Sequence, residues 1–414
     1  MRHLSIWQRG LAAVLLLIGF AVPAVSAQVS AAALADYSPN EVLVKLNPSA
    51  NLRAIAGSHR LKIPQVAADQ LDIQPIYRLQ IADGATPAAK AAELLSDRMV
   101  IYAEPNYVGE LPEARQRSSW VVGDGVNGYA TPWAKAALRL PEAHTITRGA
   151  NITVAILDTG ADLSHPALAG HLVPGYDFVD LDDDASETGV YGINIAYGHG
   201  THVAGLVALA APDAKIMPLR TLGPDGIGTI WMQAQALRYA INHGADVINL
   251  SYSFGNRSQV LDEILAQATC TAAVDDDCRA KIRPGALVTA ASGNSGGSNR
   301  EYPAADLLPG VLAVAASTEA NTLAVFSTYG SWVQVAAPGD RIVSSVPGGG
   351  YAIWSGTSMA APLAAGSAAL VRAAYPSMRP TDIVTRIITT GAPMAGVVRR
   401  RVDAAAALKL SATK

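Results

Sequence analysis

Between residues 131 and 410, short continuous apolar runs alternate with longer amphipathic stretches. The runs at 153–157, 215–219, 245–250, 286–291 and 311–316 read as strands buried on both faces, the habit of parallel sheets. Stretches at 203–210, 229–243, 259–268 and 358–375 read as helices. The pattern predicts an α/β domain with a mostly parallel central sheet and helices on both faces, where ligands meet the carboxyl ends of the strands. The N-terminal part is patterned differently. Residues 41–46 alternate like a strand, 87–99 repeat like a helix through Ala88, Ala91, Ala92, Leu94 and Leu95, and 99–103 form a second strand-like run ending at Glu104-Pro105-Asn106-Tyr107. This predicts a smaller α+β unit. Residues 109–127 are polar and aperiodic, and predict an exposed linker of the kind where proteolytic nicking concentrates.

Composition agrees with a large packed body. Half of the 414 residues are hydrophobic and 16% are charged, which suits one large domain plus a small one. A formal net charge of −3 argues against a nucleic-acid partner, and Arg115, Arg117 and the run Arg399-Arg400-Arg401 are read as solvated surface. The first residues add a destination. Arg2 and Arg9 precede an apolar run over 11–22, and Val25-Ser26-Ala27 offers a small-residue cleavage point before Gln28. That is a secretory signal peptide over 1–27, since the run is short for a span of ~20 residues. Export to the periplasm or the medium is expected, without a stable membrane anchor.

Two cysteines follow from that compartment. On one unbroken helix Cys270 and Cys278 would stand roughly 12 Å apart, too far to bridge. The acidic stretch between them can form a loop, and in an oxidising compartment a disulfide closing that loop is expected as a structural staple.

Three segments carry the chemistry: Ala155-Ile156-Leu157-Asp158-Thr159-Gly160, Gly198-His199-Gly200-Thr201-His202, and Gly356-Thr357-Ser358-Met359-Ala360-Ala361-Pro362. They supply a carboxylate, an imidazole and a hydroxyl. A serine hydroxyl becomes nucleophilic at neutral pH when an oriented base takes its proton, and Asp…His…Ser is one of the chain orders in which this triad occurs. Each piece alone has an ordinary alternative: a turn aspartate, a helix-start histidine, an N-cap serine. A zinc site on His199 and His202 lacks the i, i+4 spacing and intervening glutamate of metalloprotease helices. An aspartic dyad would need a second Asp-Thr-Gly. Gly293-Asn294-Ser295-Gly296-Gly297 fits the nucleophile elbow of esterases, but that fold places its histidine after the serine, and the last histidine here is His243.

At these motifs the chain resembles the subtilisin-like serine proteases (subtilases, peptidase S8), and the segment from about 37 to 110 resembles their inhibitory propeptide. The resemblance implies a signal peptide (1–27), a propeptide (28–110), a linker holding the maturation site (111–130) and a peptidase domain (131–414). It implies Ser358 as nucleophile, His199 as base and then acid, Asp158 as the orienting carboxylate and Asn294 as oxyanion donor, with His202 a packed structural residue. Polypeptide substrate would lie as an added strand between Gly226-Ile227-Gly228 and Ser251-Tyr252-Ser253. Its primary pocket would be walled by Ser251 to Ser253 and by Ala291-Ser292-Gly293, with Glu301 near the floor and favouring Lys or Arg. Ser253 stands where the family usually has glycine. No cofactor is expected for the chemistry. The calcium loop after the histidine helix is shortened, and Asp180 to Glu187 remains as either a calcium cluster or an acidic surface loop. The expected partners are polypeptide substrates and the chain's own propeptide as intramolecular inhibitor. The rival reading is a catalytically silent binding protein on the same fold.

Overall fold

The computed structural model describes residues 36–64, 75–115, 121–122, 132–271 and 284–409. The expected signal peptide, most of the expected linker and Cys278 lie outside these residues.

The central sheet contains nine strands among the described residues. In spatial order they are Ala392–Pro393, Arg400–Arg401, Val335–Pro338, Val311–Ser317, Leu287–Ala291, Val247–Leu250, Thr153–Asp158, Lys215–Arg220 and Tyr176–Asp177. All neighbours pair parallel except the two short strands at 392–401. Both faces are covered, which explains the unbroken apolar runs. Along Thr153–Asp158, Val154 and Ile156 pack with the helices His199–Ala210 and Thr357–Ala374. Ala155 and Leu157 point the other way, toward Ile230–Asn242 and Gln259–Ala268. The five predicted strands and four predicted helices are all present. Further elements are the hairpin Ile342–Val346/Gly350–Trp354 and the helix Pro380–Thr390.

The N-terminal unit is an antiparallel sheet in the order Leu61–Lys62, Ile76–Ile81, Tyr37–Leu46, Val100–Glu110. Strand alternation sends its side chains to two different cores. Val42 and Val44 join Leu79, Ala91 and Leu94 beneath the unit's own helix Pro87–Leu94, while Leu43 and Tyr102 join a core of the large domain. The helix expected over 87–99 ends at Leu94, and the strand expected over 99–103 runs on to Glu110. That extension has a cause. Beyond residue 107 the strand pairs antiparallel with Ile227–Thr229 of the large domain, so the small sheet acquires its last strand there. The expectation of an exposed linker from residue 109 is corrected for its first residues, because Gly109 and Leu111 are buried.

Two polar residues of the same strand fix the join. Glu104 accepts from Ser258 Oγ and from the backbone N–H groups of Gln259 (2.8 Å) and Val260 (3.4 Å), at the start of Gln259–Ala268. Asn106 Oδ1 accepts from Trp231 N (3.1 Å), at the start of Ile230–Asn242. Free N–H groups at helix starts are thereby satisfied from outside their own segment.

Candidate active site

Asp158 ends the Thr153–Asp158 strand, at the carboxyl edge of the sheet. Its Oδ1 accepts from Thr159 N (2.8 Å) and from His199 Nδ1 (2.7 Å). Holding Nδ1–H in this way leaves Nε2 to face the reacting centre. His199 opens its helix directly after Gly198, whose φ of 92° requires glycine. Burial alone would lower the basicity of the His199 imidazole, but the carboxylates of Asp158 and Glu113 overcome this and raise its pKa to about 10. His202 behaves oppositely. Burial, reinforced by the neighbouring His199 charge, pushes it down to about 3. It stacks on Trp354 at 5.1 Å and bonds Ala352 O, as expected of a structural neutral ring.

Ser358 stands at the start of Thr357–Ala374, where the helix dipole favours a developing negative charge. Pro362, four residues on, has no N–H to give to the Ser358 carbonyl. Ser251 Oγ donates to that carbonyl instead (3.1 Å), itself held by Asn249 Nδ2 (2.9 Å). In return the Ser251 carbonyl accepts from Ser358 Oγ at 3.0 Å. Asn294 is oriented without ambiguity: its Oδ1 accepts from both the N–H and the hydroxyl of Thr357, each at 2.9 Å. Nδ2 must therefore face the centre, as an oxyanion donor needs.

A residue that sequence reasoning missed occupies this centre. Glu113, in the short turn Pro112–Arg115, places Oε2 2.7 Å from Ser358 Oγ and 3.4 Å from His199 Nε2. Its Oε1 accepts from Asn294 Nδ2 at 2.9 Å. Burial would raise the pKa of this carboxyl, but His199, Ser358 and Asn294 hold it below its ordinary value. One carboxylate thus engages nucleophile, base and oxyanion donor together.

The segment before Glu113 lies where substrate was expected. Val108, Gly109 and Glu110 pair with Thr229, Gly228 and Ile227. On the other side Glu110 and Ser253 exchange both backbone hydrogen bonds (3.1 Å each), and Leu111 N donates to Gly226 O (3.0 Å). Gly226, Ile227, Gly228, Ser251 and Ser253 therefore line one strand-shaped cleft, while Tyr252 points into the core. Ala291 and Ser292 are buried at the end of their strand, with Ser292 Oγ donating to Thr328 O. Glu301 accepts from Ser253 Oγ (2.7 Å) and Thr328 Oγ1 (3.1 Å), and abuts Gly293 so closely that a Cβ there would meet its carboxylate at 2.2 Å. Ser253, in its unusual position, thus holds Glu301.

The acidic loop is already engaged. Asp177 and Asp180 pair with Arg220, Asp182 and Asp184 accept from backbone N–H groups, and Glu187 bonds Thr159 and Thr201 behind the triad. Among the described residues no group of three or more His, Cys, Asp or Glu is arranged to hold a metal ion.

Residues 149–406 match the family model described as the subtilase family, peptidase S8. The chain belongs to the subtilase family. Residues 23–106 match the N-terminal prodomain of fervidolysin. This subtilase is 33% identical over 347 residues to the thermophilic serine proteinase of Bacillus sp. (strain AK1), covering 81% of this chain and 78% of that protein. It is 39% identical over 244 residues to thermitase of Thermoactinomyces vulgaris, covering 56% and 79%. Among solved structures, fervidolysin from Fervidobacterium pennivorans, a keratinolytic enzyme related to subtilisin, superposes with a TM-score of 0.72 at 25% identity. That match takes in 90% of this chain and 61% of the solved one, so this chain spans less than two thirds of that structure.

Proposed function

We propose that this subtilase is an exported serine endopeptidase, made as a zymogen that processes itself in the segment beyond Glu113. The observation that carries the reading is that His199, Ser358 and Asn294 converge on one carboxylate, at the end of a strand lying in the cleft, with Asp158 holding the far side of His199. When substrate replaces Glu113, Ser358 Oγ attacks the peptide carbonyl while His199 Nε2 takes its proton. Asn294 Nδ2 donates to the resulting oxyanion, and His199 then protonates the leaving amine. Water repeats the sequence on the acyl-enzyme. These steps run on side chains alone. Glu301, held at the pocket by Ser253 and Thr328, favours Lys or Arg at the residue before the cut. The segments 28–110, 111–130 and 131–414 serve as propeptide, linker and peptidase, and Cys270 pairs with Cys278. Export follows from residues 1–27, and no described helix is long and apolar enough to cross a membrane.

Intact-mass analysis of the exported wild type beside Ser358→Ala tests this reading. The wild type should lose its N-terminal part while Ser358→Ala stays full length after signal removal. Equal processing of both assigns the cut to another protease. A wild type that neither processes nor labels with a fluorophosphonate supports the silent binding protein instead.

A further inference from the structure

The prodomain strand shows the path a substrate takes, and one side chain restricts it. Glu110 pairs antiparallel with Ser253. Ser251, two residues before Ser253, therefore faces the position two residues beyond Glu110, the slot of Pro112. The Ser251 carbonyl lies 3.0 Å from Ser358 Oγ, so the Pro112 slot holds the residue before the scissile bond. Counting back, Leu111, Glu110 and Gly109 fill the second, third and fourth slots.

The fourth slot has no room for a side chain. A Cβ on Gly109 would lie 2.4, 2.6 and 2.7 Å from Cε1, Cδ1 and Cζ of Phe254. Gly109 does not have the positive φ that would itself call for glycine, so space alone excludes a larger residue. The ring cannot easily retreat. Phe254 exchanges both backbone hydrogen bonds with Tyr302 (2.8 and 2.9 Å). Its ring also meets Tyr252 edge-on at 5.6 Å, and Tyr252 is fully buried. By contrast the second slot receives Leu111 in full, 1% exposed, against Gly226 and Leu222 of the large domain's core.

We propose that Phe254 makes this subtilase selective for glycine at the fourth residue before the cut. The inference rests on the endopeptidase reading and on substrate following the prodomain's strand. Glycine at position 109 is the prodomain's own fit to the same restriction.

The test is a peptide library varied over the residues before the cut, incubated with the full chain as it emerges from an exporting host. Cleavage sites are read by mass spectrometry. Glycine should dominate the fourth position, with kcat/KM about 10- to 100-fold above matched peptides carrying Ala, Val or Phe there, the range expected for overpacking a filled site. Phe254→Ala should remove the preference and admit Leu or Phe. If Phe254→Ala does not fold, the wild-type profile decides by itself. Indifference at the fourth position overturns this inference alone, and failure to cleave any peptide overturns the endopeptidase reading with it.

Discussion

Glu113 Oε2 and Ser358 Oγ are 2.7 Å apart although 245 residues separate them in the chain. The hydroxyl that should turn its proton to His199 instead faces a carboxylate of the prodomain side, with the Ser251 carbonyl as its second acceptor. Removing that carboxylate should free the nucleophile. Hydrogen bonds to a charged group contribute about 1.5–3 kcal/mol, so Glu113→Ala should raise fluorophosphonate labelling of the unprocessed chain by about 10- to 100-fold. An unchanged labelling rate would show that Glu113 does not restrain Ser358.

The same carboxylate adds to the basicity of His199. Against burial, which would lower it, Asp158 first and Glu113 after it raise the imidazole's pKa to about 10. In the Ser358→Ala zymogen, NMR titration should find it well above the ordinary histidine range, and adding Glu113→Ala should lower it. The sign for stability follows. A raised histidine contributes fully below its unfolded pKa and loses that contribution as pH rises toward about 10. Glu113, held low, contributes above the ordinary carboxylate range and loses it as pH falls. The zymogen's thermal midpoint should therefore drop on both sides, and Glu113→Ala should move the alkaline drop to lower pH.

Asn294→Ala should cut kcat about 10²–10³-fold with little change in KM, the range known for the asparagine donor of a subtilisin. Thr357→Val, which removes one of the two groups holding Asn294 Oδ1, should produce a smaller loss of the same kind. A KM effect without a kcat effect would remove Asn294 from the oxyanion role.

At the primary pocket, Glu301→Gln should weaken preference for Lys or Arg before the cut by about 10-fold, as expected for one charge-assisted contact. Retained preference in peptide profiling would point to another source.

Glu104 supplies a cap that the peptidase helix Gln259–Ala268 cannot draw from the prodomain once the two part. Glu104→Ala should cost the zymogen about 1–2 kcal/mol, in the range of lost helix caps. The thermal midpoint should fall for the full chain and stay the same for the processed enzyme.

The triad was legible because each of its residues sits in a short local motif, and the strands were legible because burial on both faces leaves an unbroken apolar signature. Glu113 left no such trace. Pro112-Glu113-Ala114-Arg115 is polar and aperiodic, and its role comes only from docking against two distant helix starts and one loop. The buried start of the expected linker escaped notice for the same reason: Gly109 and Leu111 are covered by residues that follow more than a hundred positions later. Phe254 was hidden differently, as an aromatic residue in the Ser-, Gly- and Asn-containing segment 251–256, until the neighbouring strand gave its ring a consequence. His202 was placed correctly beside the base because helical geometry relates it to His199 directly.

The strand Val100–Glu110 carries the small sheet onto Ile227–Thr229 of the large domain, and its docking contacts, from Tyr102 through Glu113, lie before residue 116. A cut beyond that point breaks none of these contacts. What it removes is the tether. Before cleavage the occupied cleft is an intramolecular state, indifferent to how much protein is present; afterwards it is a complex of two molecules that obeys mass action. Full activity should then depend on dilution, arriving when the severed prodomain can diffuse away into a volume much larger than the one in which it was cut.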